Sequence, residues 1–243
     1  MGRAKDLNSV ASSQARSQMR YNPIAGDPNN PELATSLYET QNRVFVSLTY
    51  KDEFFKNAPT TISLFYNGQT GNPYSFIYGS DINNDGFDQN DLFYIPKDDN
   101  DIELGSVTNG VYTRDQSMYD QLDAFINNNE YLKTHRGQIA ERNADRNPWV
   151  SYVDLQIAQD IPVITGHRFT IIYDILNLMN LINSDWGWDS NVFSTYIMAR
   201  KAGTDAATGR NVYTFSAPKN NTPFTPDNVF SRWRMQLGIR YTF

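Results

Sequence analysis

With 243 residues, 40% of them hydrophobic and 20% charged, the chain has the composition of a folded protein and length enough for one large domain. A net charge of -6 and the absence of clustered Lys and Arg argue against nucleic acid as a partner, because neutralising phosphates needs a dense basic surface. The chain has no cysteine, and its two histidines, His135 and His167, stand far apart with no serine motif beside them. Thiolate chemistry, a zinc centre and a general base for a nucleophile are therefore not expected, and neither is enzymatic activity.

Residues 1–36 are polar and rich in Asn, Pro and Ser, with turn chemistry in "GDPNNPEL", and read as a loop segment. The first twenty residues carry no apolar export signal, which suits a cytoplasmic protein or the tail of a longer exported chain. No run of ~18 apolar residues is present, so any membrane role falls to strands. In "RVFVSLTYKDEFF", Val44, Val46, Leu48 and Tyr50 alternate with Arg43, Phe45, Ser47, Thr49 and Lys51, the period of two that only a strand supplies. After a turn at Lys56–Pro59, a second strand from Thr60 places Ile62, Leu64 and Tyr66 together, with a continuation expected through "PYSFIYG".

The segment 79–148 reads as a long irregular connection holding one short surface helix. In it Met118, Tyr119, Leu122, Phe125 and Ile126 fall at helical spacing, with Asp115 as the cap. A third strand, "WVSYVDLQIAQDI", groups Val153, Leu155 and Ile157. After a turn at Pro162–Gly166, a fourth, "HRFTIIYDIL", groups Phe169, Ile171, Tyr173 and Ile175. A second long polar connection, 177–231, with a hairpin near "NVYTFSA", leads to a last strand grouping Trp233, Met235, Leu237, Ile239, Tyr241 and Phe243.

About five strands of ten to thirteen residues thus alternate between short turns and very long connections. Outer-membrane β-barrels have this rhythm, with brief periplasmic turns, extended extracellular loops and strands long enough to cross a tilted bilayer. A soluble β-sandwich accounts for the alternation equally well, but its strands normally join through short turns.

The stretches "TTISLFYNGQTGNPYSFIYGSDINNDGFDQNDLFYIP", "YLKTHRGQIAERNADRNPWVSYVDLQIAQDI", "DILNLMNLINSDWGW" and "WRMQLGIRYTF" resemble, in order, the C-terminal part of TonB-dependent outer-membrane receptors of the Oar-like group of Bacteroidota. The resemblance implies an all-β fold in which residues 37–243 supply the closing antiparallel strands of a large transmembrane barrel. Loops 79–148 and 177–231 would be extracellular. Five strands do not close, since a barrel needs about eight, so the chain is expected to be a fragment of a longer receptor. The implied function is energy-coupled uptake of a solute across the outer membrane. The implied partners are membrane lipid, the N-terminal plug and remaining strands, the TonB complex and the barrel-assembly machinery. For that machinery Trp233, Leu237, Tyr241 and Phe243 resemble the terminal assembly signal. An outer-membrane-anchored adhesion or interaction protein is the alternative, and a soluble sandwich-type binding module a third reading.

Two further motifs carry chemistry. "DINNDGFDQND" has the D-x-N-x-D-G opening of a calcium loop, in which Asp81, Asn83 and Asp85 turn oxygens to one hard cation and Gly86 permits the bend. The twelfth position is Leu92 rather than Glu, so Asp88 or Asp91 has to complete the shell. The competing reading is an Asx-rich turn. Arg136, Arg142 and Arg146 suit either an anionic ligand at the pore mouth or, as favoured here, pairing with nearby carboxylates. Arg234 and Arg240 face the polar side of the last strand, and Tyr50, Trp149, Tyr152, Trp233 and Tyr241 are candidates for interfacial aromatic girdles.

Overall fold

The computed structural model describes residues 2–10 and 12–243. In chain order its principal elements are α1 (Ala15–Arg20), β1 (Arg43–Phe55), β2 (Ala58–Gln69), β3 (Pro73–Tyr78), β4 (Glu103–Thr108), β5 (Val111–Arg114), α2 (Gln116–Asn128) and α3 (Glu130–Thr134). They continue with β6 (Asp145–Arg146), β7 (Val150–Ile164), β8 (His167–Leu176), α4 (Leu178–Ile182), β9 (Thr195–Thr204), β10 (Asn211–Thr214) and β11 (Arg234–Thr242). The chain is mostly β-sheet, 44% strand against 13% helix. Among the described residues no helix is long and apolar enough to cross a membrane.

The long strands pair antiparallel into a five-stranded sheet of order β11-β8-β7-β2-β1. Its register gathers the alternating apolar sets of all five on one side, with Phe45, Phe65 and Ile172 on the reverse. Leu48 lies opposite Leu64, Leu64 opposite Leu155, Leu155 opposite Ile175 and Ile175 opposite Met235. A neighbouring row runs from Tyr50 through Ile62, Ile157 and Tyr173 to Leu237. The reverse side is largely polar and bonded across strands: Gln156 Nε2 donates to Asp174 Oδ1 at 2.7 Å, and the Thr170 hydroxyl to Asp160 Oδ1 at 2.6 Å.

Little in the described chain covers the apolar side, although Ile175, at the end where α4 meets β7, is buried. Leu48, Leu237 and Ile239 remain 61%, 68% and 70% exposed, and every residue of β1 is exposed. The sheet does not close, since β1 and β11 stand at its two ends.

Both short turns lie at one end of this sheet. They are narrower than the sequence suggests. β2 begins at Ala58, leaving Lys56 and Asn57, the latter left-handed at φ 57°, and β7 runs on through a register shift at Pro162/Ile164, leaving Thr165 and Gly166. The long connections and residues 2–42 all leave from the opposite end, where Arg43 meets Gln69, Gln69 meets Val150, and Leu176 meets Arg234.

The connections correct the expectation of irregular loops. They fold together around a core of Tyr74, Phe76, Phe93, Leu104, Phe125, Ile126, Leu132 and Met198, to which no strand of the long sheet contributes. A second, six-stranded sheet of order β6-β3-β9-β10-β4-β5 organises it. "PYSFIY" is not a continuation of β2 but the separate strand β3, buried at every position. It pairs in parallel with β9 from the other connection, Ser75 beside Thr195 and Ile77 beside Ile197. The hairpin expected near "NVYTFSA" is the β9–β10 pair.

The helix at Gln116–Asn128 forms where its spacing places it, and the Asp115 carboxylate accepts from Ser117 N and Met118 N as the cap. It is a core helix rather than a surface one, because Tyr119, Leu122, Phe125 and Ile126 are buried. The Tyr119 hydroxyl is fully engaged: it accepts from Leu104 N and donates to Ile102 O, each at 2.8 Å.

Candidate functional site

Two places in the molecule gather the residues singled out by their sequence pattern: the loop that follows β3, and the apolar side of the long sheet with its rims.

Beyond β3, left-handed Asn84 (φ 59°) and Gly86 (φ 88°) let the chain double back within a few residues. Asp81 anchors the turn, Oδ1 accepting from Asp85 N at 3.2 Å and Oδ2 from Gly86 N at 2.9 Å. Asn83 Oδ1 accepts from Asp85 N at 2.9 Å, and Asp85 Oδ1 from Phe87 N at 2.8 Å. Asp91 closes the loop, its Oδ2 accepting from Ile82 N at 2.7 Å. Burial pushes the Asp91 carboxyl up to about 6, with Asp85 and Asp81 adding like-charge repulsion.

Asp88 does not join this group, because it pairs with Arg20 at 2.8 Å. Asn90 does, although its sequence pattern gave no sign of it. Fully buried, it donates Nδ2 to Asp85 Oδ2 at 2.8 Å and leaves Oδ1 without a hydrogen-bond partner. As the side chains stand, no three His, Cys, Asp or Glu among the described residues converge closely enough to hold an ion.

The loop is also a docking point for the N-terminal segment. Ile24 N donates to Asn90 O at 2.7 Å, Leu92 N to Ile24 O at 3.0 Å, and Asn83 Nδ2 to Gly26 O at 3.3 Å.

The three arginines are satisfied within the chain. Arg136 pairs with Asp123 at 2.5 Å and donates to Pro96 O, buried Arg142 pairs with Asp6 at 2.8 Å, and Arg146 pairs with Glu39. Their guanidinium groups thus act as internal ties. Arg142 also borders a cavity of about 540 Å³ whose lining includes Tyr21, Asn22, Tyr38, Asn72 and Phe193.

On the long sheet, aromatic rings cluster at both ends of the apolar side. At the short-turn end the Tyr241 ring lies 4.8 Å from Phe169 and 5.9 Å from Phe243, which is 89% exposed. At the other end Tyr66 and Trp149 lie across Gly68, where an added Cβ would come within 2.8 Å of the Trp149 ring. That close approach explains a glycine inside a strand. Trp233 flanks β11 at the same end and is 42% exposed. Leu237 and Tyr241 project from the apolar side, Tyr50 shares that side, and Arg234 and Arg240 occupy the other. Tyr152 does not belong with these rings: it turns to the polar side beside Asn67 and donates its hydroxyl to Asp189 Oδ2 at 3.0 Å.

Comparisons of the chain with protein-family models, with curated proteins and with solved structures returned no match.

Proposed function

We propose that the chain is the C-terminal barrel segment of a TonB-dependent outer-membrane receptor, taking part in energy-coupled uptake of a solute. One observation carries the reading: five long strands, largely apolar on one side and largely polar on the other, leave most of that apolar side exposed while the rest of the chain builds a core elsewhere. A sandwich of the same strands would bury that side against a second sheet. Lipid is the covering that asks for no protein partner, and the polar side suits a wet lumen beside a plug.

The dimensions support it. From Val153, opposite Tyr66, to Ile161, opposite Phe169, the rise along β7 is roughly 27 Å at strand spacing. A tilt near 40° reduces this to about 20 Å between the two aromatic clusters, close to the ~25 Å apolar band of such barrels. Unpaired edges in hydrocarbon cost several kcal/mol per group, so further strands are expected to complete the cylinder beside β1 and β11. The shared orientation of the long connections suits an outward surface, on which the aromatic-lined cavity beside Asn22 and Asn72 is the candidate solute contact.

Membrane fractionation of producing cells tests this. Recovery with the outer membrane, resistant to carbonate and released only by detergent, is the expected result, and a folded monomer in detergent-free buffer would overturn it. The adhesion reading shares the anchored sheet and is separated by energy coupling: solute uptake that stops when the proton gradient is dissipated supports transport.

A further inference from the structure

We infer that the Asp81–Asp91 loop is a weak, structural calcium site whose closing ligands come from Asp91 and the buried amide of Asn90, not from Asp88. The spacing of Asp81, Asn83 and Asp85 is one reason, but an Asx-rich turn shares it. The independent observation is Asn90. Its side chain is wholly buried against Asp85, and its Oδ1 lacks a partner in a place where an unsatisfied buried acceptor is costly. A hard cation takes such an amide oxygen together with carboxylates.

Charge points the same way. Among the described residues no ion pair reaches Asp81, Asp85 or Asp91, although basic side chains lie close by. Arg20 is taken by Asp88, and Arg200 donates to the Gly79 carbonyl at 3.0 Å. Three carboxylates therefore share one loop with no counter-charge.

The carboxylates need side-chain movement to converge, and the bidentate glutamate of tight sites is missing, so affinity should fall in the ~10⁻⁴–10⁻³ M range of extracellular calcium modules. Loading would fasten the Ile24–Gly26 segment, held through Asn90, Asn83 and Leu92, to the core strand β3. This inference does not depend on the membrane reading, since it concerns the folded connections alone.

Calorimetric titration of the purified full chain with calcium chloride is the test, together with melting in calcium and in chelator. One ion per chain and a melting temperature about 5 °C higher in 10 mM calcium are expected. Asp85→Asn and Asn90→Ala should each weaken binding, the former at least tenfold, whereas Asp88→Asn should leave it unchanged. Magnesium should bind at least tenfold more weakly. No saturable heat from the unaltered chain up to 10 mM calcium would overturn the inference without reference to any variant. So would equal binding of magnesium, or an Asp88→Asn loss as large as that of Asp85→Asn.

Discussion

The long sheet and the folded connections obey opposite rules within one chain. In the connections a large apolar core is hidden from water, β3 at every position, and polar tips such as the Tyr119 hydroxyl find partners. In the sheet many apolar side chains are displayed: β1 is exposed along its whole length, and Met235, Leu237 and Ile239 lie open on β11. The same residue types thus sit in two different surroundings. Where a fold shows both behaviours, the exposed region is the one that needs an outside explanation.

Substitutions that act on one region alone break or sharpen this contrast. Phe125→Ala removes a fully buried ring from the core of the connections and should cost about 3–5 kcal/mol there. Hydrogen exchange should show β3, β9 and α2 losing protection while β2, β7 and β8 keep theirs; uniform loss would show that the two regions fold as one.

Leu155→Arg at the middle of the apolar side should destabilise the bilayer-inserted protein by about 2–4 kcal/mol, and Gln156→Arg on the reverse side by far less. Urea titration in lipid vesicles reads the difference, and equal penalties would remove the lipid-facing assignment. Asp115→Ala deletes the cap of α2 and should lower stability of the connections by about 1 kcal/mol, seen as a lower melting temperature with an unchanged sheet signal.

The smallest effect is acid release of the N-terminal segment. Burial pushes Asp6 up, but hydrogen bonds from Ser36, Ser9 and Arg142 outweigh it and hold the carboxyl below its usual range. Its stabilisation is therefore present above the unfolded value near 3.8 and is lost as pH falls through the lower folded value. Because Asp6 is only partly buried and its ion pair is screened by solvent, the contribution should stay under about 1 kcal/mol. Limited proteolysis around Lys5 should accelerate below pH 4, and Asp6→Asn should flatten that response.

The long strands were legible because each has one wet and one apolar side, so alternation survives in the residues themselves; His167–Leu176 matches its expected extent. Register cannot be read from one strand, yet the five apolar sets could share a side only in the register observed or one shifted by an even number of residues. The connections were opaque for a matching reason. β3 is buried on both sides and has no alternation to show, and strands such as Asp145–Arg146 are too short to carry a pattern. The Asp115 cap and the helical spacing after it were visible, but whether that helix faced water depended on partners far away in sequence. In the loop, Asp81, Asn83 and Asp85 announced themselves by spacing, whereas Asn90 did not: an asparagine's burial leaves no local mark.

The parallel seam between β3 and β9 has a practical corollary. Ser75 and Thr195 belong to different excursions of the chain, yet backbone bonds stitch them side by side, and Val212 is joined to Glu103 in the same way. Shortening one excursion would strip hydrogen-bond partners from the other. For loop grafting or epitope display the two are therefore a single cassette, to be moved together or left alone.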